Sequence, residues 1–138
     1  MEKTEFLCKY HNLQIRIAKK KEYIRFCDER AQVVPGPTYG ERIGSNPSPS
    51  LDAPFVRWVY RRIEAEKDVQ ALEEEAKKVK TTIEEAVAKL DNPEFQQIMI
   101  YHYIDWLTWE EIATKTYSSK STVRRHHSEA LEILELPI

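Results

Sequence analysis

All three glycines of this 138-residue chain, Gly36, Gly40 and Gly44, fall in one short stretch, and four of its seven prolines (Pro35, Pro37, Pro47 and Pro49) fall with them. Glycine and proline are the residues that interrupt helices. Their confinement to VVPGPTYGERIGSNPSPS puts a loop at about 34–51 and leaves helix-compatible sequence on both sides. A loop this long with few apolar anchors is expected to be disordered. The other prolines, Pro54, Pro93 and Pro137, stand at helix starts or near the end of the sequence, where proline is tolerated.

On each side of the loop, apolar residues recur at alternating steps of four and three. The first row is Phe6, Tyr10, Leu13, Ile17, Lys20, Ile24, Cys27, Ala31 and Val34, with Lys20 its one break. In the second, Asp52 is the expected cap, and the row runs Phe55, Trp58, Arg62, Ala65, Val69, Leu72, Ala76, Val79, Ile83, Ala86 and Leu90. Glu73, Glu74 and Glu75 are consecutive, so they spread around the helix as solvated charge instead of converging as a catalytic pair. The pattern predicts helices over about 4–33 and 53–90, folded into an antiparallel hairpin or coiled coil. Its alanines and Arg62 leave the stripe thin. Two ways of burying it, which do not exclude one another, remain open: an intramolecular core, and a homo-oligomer, with a dimer favoured, joined through Trp58, Val69, Leu72, Val79 and Ile83.

A second domain is expected over 91–138. Asn92 is a candidate cap, followed by Pro93 at the first helical position and Glu94 in the first turn. Thr108-Trp109-Glu110-Glu111 has the spacing of a capping box, in which hydroxyl and carboxylate satisfy opposite orphan amides. Tyr117 and Ser118 form a turn, and Ser119 caps a third helix from Lys120 to about Leu134. Leu107, Ile112, Ala113, Val123, Ala130, Leu131 and Leu134 supply the core, and Trp106 and Trp109 pack the module onto its neighbour. The predicted fold class is therefore all-α: a helical hairpin plus a three-helix helix-turn-helix module.

Charge decides how that module is read. Lysine and arginine number 21 against 23 acids, a net of −2, yet between Ile112 and Ser128 there are four cations (Lys115, Lys120, Arg124, Arg125) and no acid. The start of the third helix presents Lys120, Ser121, Thr122, Arg124, Arg125, His127 and Ser128. Arginine and lysine there can pair with guanine edges in the major groove of double-stranded DNA, while short hydroxyl side chains allow close approach and hold phosphates. Adjacent histidines diverge by about 100° on a helix, so His126 and His127 are not placed to share a metal. His126 is expected to pack and His127 to touch phosphate.

Other classes are excluded on chemistry. No GxSxG, phosphate-binding glycine loop, HExxH or Cys/His dyad occurs, so neither an enzyme nor a cofactor is expected. Cys8 and Cys27 lack metal-ligand spacing and are read as reduced thiols. With no long apolar run and no signal-peptide layout at MEKTEFLCKY, an intracellular protein without a membrane segment is expected.

The segment YIDWLTWEEIATKTYSSKSTVRRHHSEALEIL resembles the helix-turn-helix of sigma-factor region four and, more closely, phage-encoded RinA-like and ArpU-like transcriptional regulators. Tyr103-Ile104-Asp105, Leu107 to Ala113, the serine-rich turn, Ser121-Thr122-Val123 and Ala130-Leu131 carry the likeness over about 35 residues; the rest is similar only in architecture. His126 stands where the pattern usually has an aliphatic, and Tyr117 where it has glycine or a small residue. The resemblance implies that Lys120, Ser121, Arg124 and Arg125 face bases and phosphates, with Thr108 and Ser119 capping their helices at the duplex backbone. It further implies a regulator of phage or prophage late or packaging genes, working with host RNA polymerase in the bacterial cytoplasm. A coiled-coil adaptor that grips RNA polymerase or another protein, with little DNA affinity of its own, is the alternative. Salt separates the two, since phosphate contacts release counterions and apolar ones do not.

Overall fold

The computed structural model describes residues 2–32 and 54–137. The expected 34–51 loop, the Asp52 cap and the seam position Val34 lie outside the described residues. Five helices follow in order: α1 (Lys3–Gln32), α2 (Pro54–Ala88), α3 (Pro93–Tyr103), α4 (Trp109–Thr116) and α5 (Lys120–Ile133). No strand occurs among the described residues, and the chain is all-α. None of these helices is long and apolar enough to cross a membrane.

The two long helices pack as the heptad pattern predicts. Pairing is antiparallel: Lys9 meets Glu75 at 3.6 Å, Lys20 meets Asp68 at 3.2 Å, and Asp28 meets Arg62 at 2.7 Å, so partner numbers fall as α1 advances. Along α2, Ala65, Val69, Leu72, Ala76, Val79, Ile83, Ala86 and Leu90 are all buried. Leu13, Ile17 and Cys27 face them from α1. Arg62, the charge on that seam, reaches outward to Asp28 through one terminal nitrogen. Phe55 departs from expectation: in the first turn of α2 it is 45% exposed. Trp58, one turn on, meets Phe26 edge to face, ring centroids 5.4 Å apart.

The described residues form two compact units, one from Arg16–Leu72 and the other from Met1–Ile15 with Glu73–Ile138. The first is the distal half of the hairpin. In the second, the opening turns of α1 and the closing turns of α2 join α3, α4 and α5. This second membership explains a shift in the seam. Leu7, not Phe6, is fully buried, because the start of α1 has a further neighbour: Lys3 Nζ donates to the carbonyls of Leu131 and Glu132 at the end of α5, both at 3.1 Å. His11 also stacks flat on Trp106, ring centroids 3.6 Å apart.

Between α2 and α3 the chain turns at Asp91-Asn92-Pro93. A residue before proline is disfavoured in the helical region, and Asn92 is extended (φ −91°, ψ 116°) with its side chain accepting from the Glu94 N–H at 2.9 Å. Gln96 Nε2 reaches back to the Leu90 carbonyl at 2.5 Å and to that of Ala88, the last residue of α2, at 3.4 Å. Ile98, Ile112 and Val123, one from each short helix, close the core of the C-terminal module.

Candidate nucleic-acid interface

Two caps and a turn set the geometry of α4 and α5. Thr108 Oγ1 accepts from the Glu111 N–H at 3.2 Å, and Glu111 Oε1 accepts from the Thr108 N–H at 3.4 Å, completing the capping box. At the other end of α4, Tyr117 adopts the left-handed conformation (φ 55°, ψ 38°). Its N–H donates to Thr114 O, and that of Ser118 to Ala113 O, the paired bonds of a Schellman ending. Tyr117 is 97% exposed, so no packing offsets the strain of a side chain at positive φ. Ser119 then caps α5, accepting from the Thr122 N–H at 3.2 Å and donating to Thr122 Oγ1 at 2.8 Å.

On α5, Lys120, Ser121, Arg124, Arg125 and Ser128 are all exposed. At 100° per residue their positions span one face of about 140°. Thr108, Lys115 and Ser119 are exposed as well, while Thr122 is half-buried with its hydroxyl tied into the Ser119 cap. Lys115 Nζ lies 5.7 Å over the Tyr101 ring. The cations differ in how they are held. Lys120 Nζ is 3.6 Å from Glu110 Oε1 and Arg125 Nε is 4.0 Å from Glu129 Oε1. Arg124 has no carboxylate partner among the described residues.

His127 requires a correction. Instead of pointing toward a phosphate it turns inward, its Nε2 2.6 Å from the Tyr103 hydroxyl and its ring 4.9 Å from that of Trp109. Val123, His127, Ala130 and Leu134 recur at helical steps, so His127 occupies a core position that its polarity disguised. Burial, aided by neighbouring His102, lowers its pKa to about 4, which leaves it neutral and without a charge to offer an anion. Burial likewise pushes the Tyr103 phenol up to about 12. His126 is half-buried, tilted on Phe95 with Nδ1 3.7 Å from Glu94 Oε2.

Sequence reasoning missed His102. Its Nδ1 lies 3.3 Å from the Leu107 carbonyl, which can only accept, so that nitrogen carries the proton. Its ring stacks on Trp109 at 4.0 Å, and burial lowers its pKa. The expected packing of Trp106 and Trp109 onto a neighbour touches this corner without reaching His102.

The residues expected at an oligomer seam are occupied within one chain. Val69, Leu72, Val79 and Ile83 are between 0% and 9% exposed, and Trp58 is held between the Phe26 edge and the Arg61 guanidinium. Within one chain the stripe forms an intramolecular core. No family model, curated protein or solved structure matches the chain.

Proposed function

We propose that the chain is a sequence-specific DNA-binding transcriptional regulator whose α5 enters the major groove. The observation that carries this reading is the outward face of α5, where Lys120, Ser121, Arg124, Arg125 and Ser128 stand exposed behind the Ser119 cap. Arg124 is free of carboxylates there among the described residues, which suits a guanidinium that must form two bonds to a guanine edge. Thr108 and Ser119 stand exposed at the starts of α4 and α5 with their hydroxyl protons donated inside their caps, and the start of α5, with no acid in its first turn, is the helix N-terminus suited to a backbone phosphate. The likeness to phage RinA-like and ArpU-like regulators extends the proposal to late or packaging genes and to host RNA polymerase as a partner.

The test is recovery and sequencing of fragments bound from sheared host and prophage DNA, by the wild type and by a Lys120/Arg124/Arg125 triple-alanine variant. Enrichment of a few fragments, lost in the variant, supports the regulator and supplies its site. A folded wild type that enriches nothing transfers the proposal to the polymerase-binding adaptor. One observation favours that second reading: residues 91–137 carry eight acids against four cations, a net charge of −4.

A further inference from the structure

The charge missing from the C-terminal module is found on the hairpin. In the distal unit, residues 16–32 and 54–72 hold ten lysines and arginines against six acids, a net of +4 in a chain whose total is −2. A groove of about 440 Å³ between α1 and α2 gathers part of this charge. Arg16, Lys19, Lys20 and Arg61 line it, with Tyr23 beside them and the carboxylates of Glu64 and Asp68 opposite. Asp68 holds Lys20 at 3.2 Å. Arg16 and Lys19 are exposed with no ion pair or hydrogen bond among the described residues. The Arg61 guanidinium lies 4.8 Å over Trp58, a contact that leaves its N–H edge available.

We infer that this groove is a second, sequence-independent contact with the phosphate backbone of duplex DNA. The inference rests on the DNA-binding reading of the preceding section and supplies what that reading lacks. A module of net −4 is repelled by a polyanion beyond the first few ångströms, so attraction at longer range must come from another part of the chain. The distal hairpin is the described part with the positive charge to do so. Arg16 and Lys19, about 4.5 Å apart along α1, offer two unpaired cations to one strand. An acidic protein partner would also meet the positive charge. Ala65 and Leu72 also line the groove, and it is the unpaired charge of Arg16 and Lys19, with Arg61 beside them, that favours a phosphate backbone.

The test measures binding to random-sequence duplex DNA across a range of NaCl concentrations, for the wild type and for the Arg16→Ala/Lys19→Ala/Arg61→Ala variant. All three side chains are exposed; matching thermal melts confirm that the variant folds, and Arg16→Lys/Arg61→Lys serves as the charge-preserving control. The expected result is a roughly tenfold or greater loss near physiological salt, with the slope of log affinity against log salt reduced by about 2 to 3. The lysine variant keeps both. Unchanged affinity and slope overturn the inference, as does tight binding to polyglutamate without binding to duplex DNA. Arg124→Ala on the recovered fragments tests the recognition reading separately. Loss there with an unchanged groove variant sinks the second contact alone, and the reverse pattern sinks base reading by α5 alone.

Discussion

The Tyr103 hydroxyl and His127 Nε2 lie 2.6 Å apart beneath the helix that carries Lys120 and Arg124, joining α3 to α5 through a neutral imidazole. Unfolded, a histidine titrates near 6.5; in the fold His127 titrates at about 4. Between those values the unfolded chain binds more protons, so this contribution to stability is complete above about 6.5 and is lost as pH falls toward 4. Solvent reaches part of the ring and screens it, which brings the expected loss to about 1–2 kcal/mol, below the full value of the shift. Urea midpoints at pH 7 and pH 4.5 measure it. His127→Leu should remove most of the difference, and an equal pH dependence in that variant would assign the effect elsewhere.

Tyr117 sits at positive φ with almost its whole side chain in water. Glycine adopts this conformation without steric penalty. Tyr117→Gly is expected to stabilise the protein by about 0.5–1 kcal/mol, visible as a higher melting temperature. A lower melting temperature would mean that the ring contributes to stability despite its exposure.

The two caps act on different helices and share no partner. Thr108→Ala and Ser119→Ala should each cost about 1 kcal/mol, and the double variant about the sum. Ser119→Ala also releases the Thr122 hydroxyl. A double variant no worse than either single one would show that α4 and α5 unravel together.

Arg124 and Lys115 separate base reading from backbone contact. Arg124→Ala should cost about 1–3 kcal/mol on a recovered site and relax its sequence preference, whereas Lys115→Ala should weaken all duplexes alike. Fluorescence anisotropy on matched and scrambled sites gives both numbers. Equal losses on both sites for Arg124→Ala would leave it a phosphate ligand.

Ile83 is fully buried within one chain. Ile83→Ala should cost about 2–4 kcal/mol by removing apolar contact and leaving a cavity. Because the burial is intramolecular, the melting midpoint should not move with protein concentration. A midpoint that rises with concentration would return the stripe to an interchain role.

Local features were legible in the sequence because their causes are local. Asn92, Thr108 and Ser119 act on amides two or three residues away, and all three cap as expected. The run from Ala65 to Leu90 was legible for a related reason, since a stripe repeated eight times outweighs any one exception. Long-range neighbours were not. Leu7 is buried because the end of α5 lies beside the first turn of α1, about 125 residues away, and no periodicity in α1 encodes that. His127 was misread because a polar residue filled a core step. The Lys120–Glu110 pair was missed because the acid lies on the preceding helix, outside the acid-free window that made α5 look uniformly basic.

One compact unit is built from residues on both sides of the 57-residue segment 16–72. During synthesis the opening turns of α1 leave the ribosome long before Trp106 and Leu131, the groups they rest on. The distal half of the hairpin can close while the remainder is still being made, but Leu7 and His11 have to wait in water. The module with the proposed DNA-reading helix is thus completed late, when the beginning of the chain docks on its far end. Loop-closure entropy therefore predicts that this contact forms late, and that substitutions in residues 3–15 disturb the module as well as the hairpin.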